Sequence, residues 1–273
     1  MTIIATVKTS TDLVVAADSK VTTLGFGGID HEGRPIWLNQ TYDYCTKIAF
    51  GVGNLWTAAI AGQVSFGDIQ VFDLIENYPT KGFNNRNEQY EDLMNQIQGI
   101  DTYRTKKYEI FGISKENIPG TTLLFFSSDP EGRGVRAWMV SFGRSEPEIY
   151  EILKSPGVYL EGACENTFTL LYGHDIAISK EIAAAIDVPI DILRDKIMEK
   201  VYPPIKKIDC GSMPLQDAID FATFLVKVEI QMKRFLPGIP NCGGPIDIAV
   251  VHGFPRHEVK WLPGKIIKHP DSL

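Results

Sequence analysis

The sequence lacks any apolar run near the 18 or so residues that a membrane-crossing helix needs, so no membrane-spanning helix is expected in it. Its start has neither a basic segment nor a following apolar one, so no secretory signal is expected. Basic residues are in deficit: 27 Lys and Arg stand against 34 Asp and Glu, a formal charge of −7. That balance argues against nucleic acid or an anionic membrane surface as the main partner. Only four cysteines occur (Cys45, Cys164, Cys210 and Cys242), and their spacing fits no zinc or redox motif. They read as reduced thiols of a cytoplasmic protein. The five histidines form no metal-ligand pattern, so neither a metal nor a cofactor is expected. The glycines between 25 and 33 precede no helical pattern and are no dinucleotide fingerprint.

What is present is ordinary for a soluble globular chain. Of its 273 residues, 44% are hydrophobic and 22% charged. The most informative stretch comes first. Ile3 to Val7 and Val14 to Ala17 are two apolar runs separated by Thr9-Ser10-Thr11-Asp12, which predicts a buried β-hairpin. Met1 precedes Thr2, a small residue that favours methionine removal. An N-terminal Thr2 would combine a hydroxyl nucleophile with an amine base. An α-amine has an unperturbed pKa of about 7.7–8.0, so it is partly neutral near pH 7.

Further along, Lys47 to Val52, Gly53-Asn54 and Leu55 to Ala61 predict a second hairpin with a two-residue turn. Val64, Ile69, Phe72 and Ile75 recur near helical spacing after Gly62. Gly62 is therefore expected at a helix N-terminus, where backbone N–H groups suit a developing negative charge. Residues 21–44 read as a loop with room for a short hairpin, 88–98 as a helix and 99–119 as irregular. Strands are expected over 120–127, 135–142, 148–152 and 158–162, helices over most of 165–235, and a final strand pair over 243–251 and 258–262.

Thr2, the hairpin, the segment Val15-Ala16-Ala17-Asp18-Ser19-Lys20, the Lys47-Ile48 strand opening, Ala61-Gly62 and Gly243-Gly244 together resemble the proteasome β-subunit family and its bacterial relatives among the N-terminal nucleophile hydrolases. The resemblance runs from Thr2 to about Lys265. It implies an α+β fold, a four-layer αββα sandwich of two antiparallel sheets between helical layers. It implies one domain over 1–273, with insertions near 21–44, 99–119 and 174–211. It further implies that Thr2 is the nucleophile, that Asp18 and Lys47 are its charged neighbours, and that Gly62 is the oxyanion donor. The expected activity is threonine-type peptide hydrolysis of a polypeptide substrate by a homo-oligomeric ring, with an ATPase unfoldase as a further partner. The alternatives are a silent scaffold subunit and an amidohydrolase of small substrates. The chain departs from the family pattern at three supporting positions, where Ala163, Ile239 and Cys242 replace Ser, Asp and Ser.

Overall fold

The structure, a computed structural model, describes residues 2–29, 31–32, 35–43, 45–50, 56–62, 65–66, 69–70, 95, 98–99, 101–103, 105–106, 108–110, 120–128, 134–142, 148–173, 176–190, 192–193, 208–237 and 240–262. The opening hairpin forms as its sequence predicts, with β1 over Ile3–Lys8 and β2 over Asp12–Asp18. Thr9 closes the turn, its hydroxyl accepting from the Asp12 N–H at 2.9 Å.

Both strands are buried on both faces, which is why they read as nearly continuous apolar runs. Ile4, Leu13, Val15 and Ala17 enter a core shared with a second sheet. Ile3, Ala5, Val7, Val14 and Ala16 point the other way, against a helix. Alternation along a strand sends successive side chains to opposite faces, so one hairpin serves two cores. Each Leu or Ile so buried contributes about 1.5–3 kcal/mol.

A long hairpin follows: β3 over Val21–Ile29 and β4 over Pro35–Tyr42. The short hairpin allowed within a loop over 21–44 is thus a long one that takes up most of the segment. The register shifts between Phe26 and Gly28, so the glycines are accommodated in an irregular ladder and do not prevent pairing. Next come β5 (Ile48–Phe50), β6 (Trp56–Gly62), and two short strands, β7 (Ser65–Phe66) and β8 (Ile69–Gln70). The helix expected after Gly62 is thereby corrected: β7 and β8 pair antiparallel where its first turns were placed. Gly67-Asp68 lies between them in the sequence, a dipeptide type that favours hairpins and outweighs a loose helical spacing. The helix expected over 88–98 lies almost wholly outside the described residues. Those described within 98–110 are helical, against the irregular segment expected from 99, because the breakers Gly112 and Pro119 come only later.

The remaining strands are β9 (Thr121–Ser128), β10 (Val135–Phe142), β11 (Glu148–Ile152) and β12 (Gly157–Gly162). Among the described residues that follow, α1 runs over Glu165–Tyr172, α2 over Ile176–Ala185 and α3 over Leu215–Phe235. The last pair is β13 (Ile246–His252) and β14 (Val259–Leu262). One antiparallel sheet has the order β12-β1-β2-β13-β14 and the other β11-β10-β9-β6-β5. So β12 does not pair with β11, which it follows in sequence, but with β1 in the other sheet.

α3 lies on the first sheet through Ala218, Ala222, Leu225 and Val226. Among the described residues the architecture is sheet-dominated, with two five-stranded antiparallel sheets and few helices. The expected four-layer αββα sandwich is corrected to this, since the segment meant to open its second helical layer holds β7 and β8. Among the described residues no helix is long and apolar enough to cross a membrane.

Candidate functional site

Thr2 precedes β1 and is only 4% exposed. Two strands hold its backbone. β12 brings Gly162 opposite Ile3, and the Ala163 N–H donates to the Thr2 carbonyl at 2.7 Å. Gly162 adopts φ +85°, and a Cβ there would lie 1.9 Å from the Thr2 oxygen. The same Cβ would sit 3.6 Å from the Ala61 Cβ, which places the end of β6 beside Thr2. Glycine at 162 is thus required twice, by backbone conformation and by space. Gly162→Ala is expected to cost about 1–3 kcal/mol from strain at the positive φ, read as a lower urea midpoint at unchanged m. An unchanged midpoint would count against the close approach of β12 to Thr2.

Asp18 ends β2 and has no exposed surface. Its Oδ1 accepts from the Ile3 N–H at 3.0 Å and from the Lys47 ammonium at 2.7 Å. Its Oδ2 accepts from Gly243 N–H at 2.8 Å and from Lys20 N–H at 3.2 Å. Lys47 is also fully buried, just before β5, with its carbonyl accepting from Ile60 N–H at 3.0 Å. One carboxylate oxygen therefore links the lysine to the peptide bond between Thr2 and Ile3. Burial pulls the Lys47 ammonium below the usual lysine range, and the Asp18 charge and hydrogen bond oppose this.

Gly62 is exposed at the end of β6 with φ +98°, and a Cβ there would meet the Gly120 carbonyl at 2.4 Å. It stands on a strand end, which corrects the helix N-terminus expected there. The structure thus links Asp18 to Lys47 and to the Thr2–Ile3 peptide bond, and it places Ala61, the neighbour of Gly62, near Gly162 at the Thr2 carbonyl.

Two of the three departing positions are buried beside the site. Ala163 is buried and acts through its backbone N–H, which needs no side chain. Cys242 is buried, and its thiol is pushed up to about 12 by burial and then by Asp18 and Glu229. Cys164 is likewise raised to about 12, by burial and then by Glu165 and Glu161. Neither thiol ionises near neutral pH. Ile239 lies outside the described residues. The Gly243 and Lys20 N–H donors to Asp18 were missed because backbone partners leave no mark on side-chain pattern; the pair Gly243-Gly244, at φ +158° and +74°, was the available hint.

No protein-family model matches the chain, and no curated protein matches it. Solved structures do. An Anbu (Gly-1) mutant from Hyphomicrobium sp. strain MC1 aligns at 11% identity and a TM-score of 0.50, over 96% of this chain and 87% of that one. The fold is similar to that of Anbu. Anbu described as an ancestral beta-subunit, from Yersinia bercovieri, aligns at 12% identity and a TM-score of 0.47, over 99% and 89% of the two chains. A further structure of Anbu from Hyphomicrobium sp. strain MC1 gives 11% and 0.44, over 97% and 88%. At these identities the likeness to Anbu concerns the fold alone. The expected membership of the proteasome β-subunit family is corrected accordingly: the fold-level likeness found is to Anbu, and neither a family model nor a curated protein ties this chain to β subunits.

Proposed function

We propose that the chain hydrolyses peptide bonds with Thr2 as nucleophile, once Met1 is removed. One observation carries this reading: Asp18 Oδ1 holds the buried Lys47 ammonium and the Ile3 N–H together, next to Thr2. In this reading Thr2 Oγ attacks the carbonyl carbon as its proton passes to the freed α-amine. The ammonium of Lys47 favours the negative charge gathering on Oγ. The Gly62 N–H is the proposed donor to the carbonyl oxygen as it becomes an oxyanion, a contribution typically worth about 10²–10³ in rate. The α-amine then returns the proton to the departing amine, and an ester remains on Thr2. Water takes the place of that amine, loses its proton to the same base, and cleaves the ester.

The test begins with intact mass, which must show Met1 gone. Fluorogenic peptides should then be hydrolysed, and the pH profile should carry the lysine's signature. A folded-state pKa below the usual value means that the folded chain gives up this proton more readily than the unfolded one. Stability from Lys47 is therefore complete above the usual lysine value of 10.5 and is lost as pH falls through its lower folded value. The positive charge beside Thr2 fades in the opposite direction. The alkaline limb of kcat/KM is expected below 10.5. Activity that stays flat through 10.5 would remove Lys47 from the mechanism.

A second reading, a scaffold without activity, is favoured by the near-complete burial of Thr2, at 4% exposure. Processed protein that turns over no peptide supports it.

A further inference from the structure

α3 carries a carboxylate where its apolar stripe should continue. Ala218, Ala222, Leu225 and Val226 face the core, and Glu229, four residues past Leu225, is buried on the same face with no exposed surface. A charged side chain is tolerated there only with full pairing. Its hydrogen-bond partners open α1. Glu229 Oε1 accepts from Asn166 Nδ2 at 2.8 Å; Oε2 accepts from the Thr167 N–H at 3.0 Å and lies 3.2 Å from the Thr167 hydroxyl, whose single proton is shared with the Leu225 carbonyl at 3.0 Å. The Lys233 ammonium lies 3.7 Å from Oε1.

α1 needs this help. Cys164 occupies its N-cap and makes no side-chain capping bond. The first N–H groups of a helix require an acceptor, and the positive end of the helix dipole favours an anion. Glu229 provides both from a helix about sixty residues away in sequence. The capped turn continues directly back into Ala163, whose N–H holds the Thr2 carbonyl at 2.7 Å.

We infer that Glu229 is a positioning residue for Thr2: by fixing the first turn of α1 it sets the Ala163 N–H against the Thr2 carbonyl. Its consequence for rate rests on Thr2 being the nucleophile; the mechanical link does not.

Amide hydrogen exchange at Ala163 tests the link directly, in wild type, Glu229→Gln and Glu229→Ala. Exchange at Ala163 and through 165–168 is expected to quicken at least about tenfold in Glu229→Ala, and less in Glu229→Gln, which keeps one acceptor oxygen. Adding Cys164→Ser to Glu229→Ala supplies a local cap and should restore protection. Asp12→Asn, which disturbs the pairing of Asp12 with His252 at the other end of β2, serves as a matched destabilised control and should leave Ala163 protected. In parallel, kcat for a peptide should fall about tenfold in Glu229→Gln with KM within about twofold, because the effect is on placement. Wild-type protection at Ala163 in folded Glu229→Gln and Glu229→Ala would overturn the proposal, as would equal loss in the control. If wild-type protein hydrolyses nothing, the Thr2 reading fails while the exchange result still decides the role of Glu229.

Discussion

Thr2→Ala should abolish peptide hydrolysis while leaving the protein folded. The two requirements separate because the residue is held by its main chain. The carbonyl accepts from Ala163 N–H, and the following N–H donates to Asp18; neither bond involves the side chain. Alanine therefore keeps both. The stability change should stay near 1 kcal/mol, the usual size for trimming one small buried side chain. The rate has no such reserve. Without Oγ no ester can form, and water must attack directly, so a fall of at least about 10³ is expected. Thr2→Ser keeps the hydroxyl and loses only the methyl that restrains it, so it should retain measurable turnover, about tenfold below wild type. Steady-state kinetics on proteins whose intact masses show Met1 removal would check both, with circular dichroism confirming the fold. Thr2→Ala turning over at the wild-type rate would mean that the hydroxyl takes no part. If both variants match an inactive wild type, the scaffold reading stands.

The parts of this fold that could be read from sequence are those whose cause is local. β1 and β2 announce themselves as apolar runs around a Thr9-to-Asp12 turn, and β9 and β10 as strand runs around a turn sequence. The parts that could not be read depend on partners distant in the chain. Nothing within 157–162 says that it will abandon β11 and pair with β1, yet that exchange is what brings Gly162 to Thr2. In the β3–β4 hairpin, glycines that suggest a loop sit in a ladder with a shifted register. After Gly62, four apolar residues near helical spacing suggest a helix, yet β7 and β8 form there.

The site divides the same way. Thr2, Asp18 and Lys47 are candidates through the resemblance, and the structure joins Asp18 to Lys47 and to the peptide bond that follows Thr2. The acceptor load on Asp18 was not legible, because three of its four donors are backbone N–H groups. Ala163 was read as a missing serine, whereas the described contact at that position is made by its main chain. Glu229 left one usable trace, a charged residue at a stripe position of a strongly periodic helix. An unexplained charge on an apolar face is a signal to look for its partner.

The Asp18–Lys47 pair carries the largest expected effect on stability, and the effect should be lopsided. Asp18→Ala strands a fully buried ammonium and leaves three N–H groups without their acceptor. Breaking a buried pair in this way costs about 3–5 kcal/mol. Lys47→Met leaves the carboxylate still bonded by Ile3, Lys20 and Gly243, so it should cost less, about 1–3 kcal/mol. The double variant Asp18→Ala/Lys47→Met removes the stranded charge and should be more stable than Asp18→Ala alone. Replacing both members of a buried pair is often near neutral, although here the three N–H groups would still lack an acceptor. Urea unfolding of the four proteins, with m compared throughout, measures the coupling as the departure from additivity. Losses that simply add would mean that the two charges do not act on each other. A Lys47→Met variant costing more than Asp18→Ala would invert the argument, because it would make the ammonium, and not the carboxylate, the hub around which the end of β2, Gly243 and Thr2 are assembled.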